Sequence, residues 1–168
     1  MKKKSKMKLS IISLNLFLII FISCSDPELK DANILWEKAK TSYSLNDFDD
    51  SVISLNQLIS KFPDSKLVVE SYYLLHEVFL NEFNNYDISI IYLNIIIDEY
   101  PEHELAKKSL FTLGYIYSNH ISSYSDAYDT YNQFIEKYPN DDLVPSAEYE
   151  INNLKPILAD IEKLINKK

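Results

Sequence analysis

The 168-residue sequence has very little glycine and no arginine. Its single glycine, Gly114, leaves few of the tight hairpin turns on which all-β folds depend. All 17 basic residues are lysine, whereas arginine is the usual bidentate partner of phosphate and of guanine. These two deficits argue against an all-β fold and against nucleic acid as a partner.

Residues that carry metal or catalytic chemistry are also scarce. Cys24 is the single cysteine, so neither an internal disulfide nor a cysteine metal cluster is possible. His76, His103 and His120 show no metal-ligand spacing, and one glycine cannot build a glycine-rich phosphate loop. No pair of carboxylates stands out as a general acid and base. We therefore expect no metal, no cofactor and no enzymatic activity.

Acidic residues predominate once the amino terminus is set aside. Residues 1–23 contain five lysines and no acidic residue, and the remainder carries 12 lysines against 25 acidic residues, a net charge of −13. Such a surface repels nucleic acid and anionic lipid, and it favours solubility and basic partners. The simpler interpretation, an acidic surface that only keeps the protein soluble, stays open.

The amino terminus has the layout of a secretory signal peptide. A lysine-rich start precedes a short apolar run over residues 9–22, too short for a membrane span of about 20 residues. Ile22-Ser23-Cys24 then resembles the bacterial lipobox, in which a small residue precedes a cysteine that becomes lipid-modified. The resemblance implies a signal peptide over 1–23, a lipid on Cys24 and a short tether over 24–33. An uncleaved signal anchor with an incidental cysteine is the alternative.

Aromatic-proline pairs recur along the rest of the chain at a step of 38 residues. Further columns with the same step hold asparagine, isoleucine and leucine. The members are Phe62-Pro63, Tyr100-Pro101 and Tyr138-Pro139; Asn56, Asn94 and Asn132; Ile59, Ile97 and Ile135; and Leu67, Leu105 and Leu143. Agreement in so many columns indicates an internal repeat.

Each repeat has the pattern of two helices. Val52, Leu55, Ile59 and Phe62 recur at three- and four-residue steps, as on one apolar face of an α-helix. Proline cannot continue a helix and disfavours helical angles in the preceding residue, so each aromatic-proline pair ends a helix. We predict helices over 29–45, 48–61, 66–82, 86–99, 103–120, 124–137, 142–154 and 156–166.

The spacing within each unit resembles the tetratricopeptide repeat. Positions of that motif are occupied by Tyr124, Ala127, Tyr131, Phe134 and Pro139 in the second helix and by Leu113-Gly114 in the first. His76 and Ala39 replace the motif's glycine in the other two units. The resemblance implies an all-α, tetratricopeptide-type α-solenoid of helix-turn-helix repeats.

The repeats are expected over residues 34–154. The units are 34–66, 67–104 and 105–142, with a partial unit at 143–154. The step of 38 residues is longer than the usual repeat of about 34 residues. Residues 155–168 are expected to form a separate helix that caps the stack, with Pro156 in its first turn and an outer face that tolerates water.

The long unit with a Tyr-Pro ending resembles a bacterial envelope branch of this repeat family. That branch includes the BamD-like outer-membrane assembly lipoproteins and the Tol-Pal-associated cell-division coordinators. With Cys24, the resemblance implies a scaffold anchored by lipid at the periplasmic face of the outer membrane, or at the cell membrane in an organism without one. Its partners would be envelope proteins, including assembly components. A cell-division or cell-wall coordinator and a lipid-anchored carrier of small ligands are the alternatives.

One column of aromatic residues falls on the first helices of successive repeats, which line the concave groove of tetratricopeptide folds. This column comprises Trp36, Tyr73, Phe111 and Tyr149, and one turn further on lie Lys40, Glu77 and Tyr115. Aromatic side chains supply much apolar contact area and often carry binding energy in interfaces. We predict that these residues bind a segment of another protein. The alternative is that the rings only pack one repeat on the next.

Overall fold

The computed structural model describes residues 27–167, which are helical throughout apart from short connections. The elements in these residues are α1 (Pro27–Ser44), α2 (Phe48–Lys61), α3 (Val68–Asn81), α4 (Tyr86–Glu99), α5 (Glu104–Ile116), a π-helix at Tyr117–Ile121, α6 (Tyr124–Lys137) and α7 (Val144–Ile165). The predicted signal peptide over 1–23 and the lipidation at Cys24 lie outside the described residues. Within 27–167, every helix is too short or too polar to cross a bilayer.

The second helix of each repeat, α2, α4 and α6, has the bounds that the sequence predicts. The side chains of Asp47 and Asn85 cap α2 and α4 by accepting hydrogen bonds from backbone N–H groups three residues on, at 3.3 and 3.1 Å. At the other end, Tyr100 already has non-helical angles (φ −128°, ψ 49°), and the proline after it cannot extend α4. Polar caps and aromatic-proline pairs therefore fix these helices locally.

Helix pairs α1/α2, α3/α4 and α5/α6 stack in sequence, and α7 packs on α6. Two columns of small residues, each at the 38-residue step, are fully buried between the helices. They are Ser51, Ser89 and Ala127, and Ser71, Ser109 and Ala147. Small side chains let helix axes approach closely while larger neighbours fill the core. The predicted all-α solenoid of helix pairs is confirmed.

In the third repeat, Gly114 lets α5 lie close to Tyr131 of α6. A Cβ atom placed there would lie 2.9 Å from Cε1 of Tyr131, which is fully buried in α6. In the second repeat His76 takes the same position, and its Nδ1 lies 2.8 Å from Oγ of Ser89. One repeat thus fills the contact between its helices with a tyrosine ring, and the other with a histidine.

The first helices of the second and third repeats end in a widened turn. Each turn to the second helix holds one left-handed residue, Asn46 (φ 60°), Asn84 (φ 50°) or Ser122 (φ 59°). Ala39 and His76, which stand at the motif's glycine position, are only 37 positions apart, whereas the left-handed residues Asn46 and Asn84 keep the step of 38. The first repeat therefore has one residue fewer between these two positions. A π-type turn absorbs one extra residue without breaking the helix.

This insertion explains why α5 is shorter than the predicted helix 103–120. The backbone changes to π-helical hydrogen bonding at Tyr117–Ile121. In the second repeat, the N–H of Phe83 likewise donates to the carbonyl of Val78, five residues back, at 3.2 Å. The predicted tether over 24–33 also needs a smaller correction. Its residues 27–33 belong to α1.

The predicted separation of a helix over 142–154 from a capping helix within 155–168 is wrong. α7 is continuous from Val144 to Ile165, with Pro156 inside it. The proline removes the hydrogen bond to the carbonyl of Asn152. Both residues are exposed, so water can bind that carbonyl. The end of α7 also fails to cap the stack, since its apolar residues Ile157, Ile161 and Leu164 are 38–67% exposed.

Candidate functional site

A groove of about 450 Å³ is lined by side chains of α1 and α3, with one residue from α5. The lining residues are Trp36, Lys40, Tyr43, Glu70, Tyr73, Leu74, Glu77 and Leu105. We call this the α1–α3 groove. Four of its residues are among the predicted partner-binding residues: Trp36 and Tyr73 of the aromatic column, and Lys40 and Glu77 one turn further on.

Helical spacing places these side chains on facing surfaces. Trp36 and Lys40 are four residues apart in α1, and residues three or four apart are neighbours on a helix surface. In α3, Glu70, Tyr73 and Glu77 follow at the same kind of step. The groove is therefore bordered by one stripe of each helix, with aromatic rings and charged groups alternating along it.

Lysine ammonium groups lie over two of the three aromatic rings of the groove. Nζ of Lys40 is 5.5 Å from the ring centroid of Trp36, and Nζ of Lys108 is 4.6 Å from that of Tyr73. Cations near an aromatic face are attracted by its negative charge density. Lys40 also forms an ion pair of 2.8 Å with Glu37. The nearby lysines thus already have partners in the chain.

The two carboxylates of the groove are less well satisfied. Oε2 of Glu70 is buried and has no hydrogen-bond partner among the described residues, and Oε1 lies 3.9 Å from Nε2 of His103. Burial raises the pKa of Glu77, against the opposing effect of Lys108. Among the side chains described, no lysine forms an ion pair with either carboxylate. The groove therefore combines apolar walls with two carboxylates that form no ion pair with a lysine of the described residues.

The remaining predicted residues lie elsewhere. The ring centroid of Phe111 is 5.5 Å from that of Tyr131 and 5.6 Å from that of Phe134, both in α6, so this ring packs within its own repeat. Tyr115 and Tyr149 are 44% and 65% exposed and do not line the α1–α3 groove. The column thus holds two rings that line the groove, Trp36 and the largely buried Tyr73, a ring that packs on α6, Phe111, and an exposed ring, Tyr149. Its role in partner binding stays a prediction.

Four groove residues are missing from the sequence prediction: Tyr43, Glu70, Leu74 and Leu105. Helical spacing could have found three of them. Tyr43 lies three residues after Lys40, Glu70 lies seven residues before Glu77, and Leu74 lies four residues after Glu70. Leu105 comes from the next repeat, and only the stacking of α5 beside α3 brings it to the groove. The sequence carries no local signal for that contact.

A comparison with protein-family models agrees with this architecture. The tetratricopeptide repeat model matches residues 34–65 and 108–141. The first match covers most of α1 and all of α2, and the second covers most of α5 and all of α6. No curated protein matches the chain. The helix pairs and the two matches confirm the predicted tetratricopeptide-type α-solenoid.

Proposed function

We propose that this tetratricopeptide-repeat protein is a lipid-anchored scaffold of the bacterial envelope whose α1–α3 groove binds a segment of another envelope protein. The observation that carries the proposal is the groove itself, where Trp36 and Tyr73 line a space of about 450 Å³. That volume accommodates several side chains of a partner. Aromatic rings at a groove supply large apolar contact areas at small conformational cost.

The envelope location rests on the amino-terminal sequence. The lipobox-like Ile22-Ser23-Cys24 follows a signal-like segment. Because α1 begins at Pro27, a lipid on Cys24 would hold the amino end of α1 next to the membrane. We place the protein at the periplasmic face of the outer membrane. The long repeat with a Tyr-Pro ending supports a BamD-like role in outer-membrane protein assembly.

Photo-crosslinking in cells tests the groove. A photoreactive amino acid replaces Lys40 or Glu77 in the groove, or, as a matched control, exposed Lys61 or Glu136 on the second helices. We expect the groove positions to capture an envelope protein that the control positions do not. Capture of the same proteins from all four positions, or of none from the groove, would overturn the proposal.

The anchor has a separate test. The Cys24→Ala variant lacks the thiol that would carry the lipid, so we expect it to leave the membrane fraction or to keep its signal segment. Cys24→Ser serves as a second variant with a side chain of similar size. Membrane fractionation and the mass of the mature chain are the measurements. Wild-type fractionation and processing in both variants would remove the lipoprotein assignment and leave the groove proposal intact.

A further inference from the structure

Glu70 and Glu77 give the α1–α3 groove a chemical preference. The two residues are seven positions apart in α3, which corresponds to about 10 Å along a helix. Tyr73 and Leu74 lie between them on the same face, so apolar surface separates the two carboxylates. A partner segment that crosses this face meets negative charge, then apolar surface, then negative charge again.

No lysine in the described part of the chain forms an ion pair with either carboxylate, although the charge of Lys108 acts on Glu77 and Nε2 of His103 lies 3.9 Å from Oε1 of Glu70. Lys38 is paired with Asp50 at 3.0 Å, Lys40 with Glu37 at 2.8 Å and Lys107 with Asp141 at 2.8 Å. Lys108 lies over the ring of Tyr73. The buried oxygen of Glu70 consequently lacks a hydrogen-bond donor in the described part of the chain. The Glu70 side chain as a whole is 37% exposed, so a cation of a partner can reach the carboxylate from the groove and form a charge-assisted hydrogen bond.

The charge of the whole chain acts in the same direction. Beyond residue 23, acidic residues exceed lysines by 13. A field of one sign raises the encounter rate with partners of the opposite sign and suppresses encounters with like-charged partners. The surrounding surface and the groove therefore favour the same class of partner.

We propose that the α1–α3 groove selects a basic polypeptide segment, whose lysine or arginine side chains reach Glu70 and Glu77 while its apolar side chains lie against Trp36 and Tyr73. The inference rests on the proposed function, because it requires that the groove binds a polypeptide. It adds the chemistry of the partner. Apolar contacts supply contact area, and the two carboxylates reject acidic segments.

The test uses the full-length protein in a nonionic detergent and two labelled peptides of equal length. Both peptides carry the same leucine and tyrosine residues, and the remaining positions are lysine in one and glutamate in the other. Fluorescence anisotropy measures Kd, with empty micelles as the blank. We expect the lysine peptide to bind at least about tenfold more tightly than the glutamate peptide, the scale of one or two charge-assisted hydrogen bonds.

Matched variants separate the groove from general attraction. Glu70→Gln with Glu77→Gln keeps the shape of both side chains and removes two charges from the groove. Glu99→Gln with Glu136→Gln removes two charges from exposed positions on α4 and α6. We expect the groove pair to weaken binding of the lysine peptide about tenfold and the control pair to change it less than about twofold. Equal losses in the two double variants would overturn the inference.

Failure of the charge inference is distinguishable from failure of the proposed function. If both peptides bind equally and Trp36→Ala weakens both, the groove binds polypeptide and the preference for basic segments is wrong. If Trp36→Ala changes neither affinity, the charge inference is overturned and the groove itself loses support. Circular dichroism of each variant verifies that the helices are retained.

Discussion

Trp36 in the first repeat and Phe111 in the third occupy corresponding positions, yet their rings have different neighbours. Phe111 packs edge-on against two rings of α6, Tyr131 and Phe134. Trp36 packs against core clusters that include Leu55 and Leu58 of α2, and it lines the α1–α3 groove under Lys40. The same column therefore contributes to core packing in one repeat and to an accessible surface in another.

The difference originates in the second helix. Tyr131 has Leu55 as its counterpart in the first repeat, two steps of 38 residues earlier. A tyrosine at this position reaches across to Phe111 and requires glycine at residue 114. A leucine is shorter, tolerates Ala39 opposite and offers the first-helix ring no aromatic partner. The residue facing the column thus decides whether a first-helix ring has an aromatic partner in the second helix.

The largest expected effect is on Tyr131. Its side chain is fully buried, so Tyr131→Ala should lower the free energy of unfolding by about 3–5 kcal/mol, the usual cost of deleting a buried aromatic ring. Tyr149→Ala, at a 65% exposed position, should cost less than about 1 kcal/mol. Urea denaturation followed by circular dichroism measures both. Similar losses in the two variants would contradict the assigned packing.

A smaller effect is the pH dependence of stability, which His76 introduces in the second repeat and Gly114 at the same position of the third repeat does not. Burial, reinforced by the charge of Lys108, lowers the pKa of His76 to about 4. Between the unfolded pKa of about 6.5 and that value, the unfolded chain binds a proton that the folded chain rejects. Stability should therefore fall as pH falls through this range, with a loss of about 2 kcal/mol between pH 7.5 and pH 5.

The variant His76→Gln isolates this contribution, because glutamine can still hydrogen-bond to Ser89 and does not titrate. The free energy of unfolding is measured for both proteins across the same pH range. The difference between the two curves should carry the loss assigned to His76, while shared contributions from the carboxylates cancel. A difference that is independent of pH would show that His76 is not buried as described.

A third prediction exchanges the packing of one repeat for that of another. Gly114→Ala should cost about 1–2 kcal/mol, because the new methyl group meets the ring of Tyr131 at 2.9 Å. Adding Tyr131→Leu recreates the Ala39 and Leu55 pair of the first repeat. In the double variant the clash is gone, so the two changes should couple favourably by about 1 kcal/mol. Simple additivity in denaturation experiments would argue against the contact.

Much of this fold is predictable because its signals are local. The caps at Asp47 and Asn85 and the aromatic-proline pairs fix α2, α4 and α6 within a few residues of chain. The predicted helix start at Pro156 is wrong. Proline suits the first turn of a helix, and the sequence does not show that α7 tolerates it at an exposed interior position.

The groove is predictable in part for a similar reason. Trp36 and Tyr73 are found by column arithmetic, since equivalent positions of stacked repeats lie side by side. Phe111 was expected at the same surface, but its environment depends on Tyr131 in another helix. The missing donor for Glu70 is likewise a property of the assembled helices rather than of any segment. Sequence columns therefore locate candidate residues, and tertiary packing selects which of them face a partner.

The comparison of Trp36 with Phe111 is the most informative one for function. Among the described residues the ring of Trp36 forms no stacked or edge-on pair like those of Phe111 with Tyr131 and Phe134, so Trp36→Ala should cost less than Phe111→Ala, by about 1 kcal/mol or more. Crosslinking from Lys40 should nevertheless be lost in Trp36→Ala, because the ring forms part of the groove wall. Phe111→Leu, which keeps most of the buried volume, should leave that crosslink unchanged. Loss of the crosslink in Phe111→Leu and not in Trp36→Ala would place the binding surface in the third repeat.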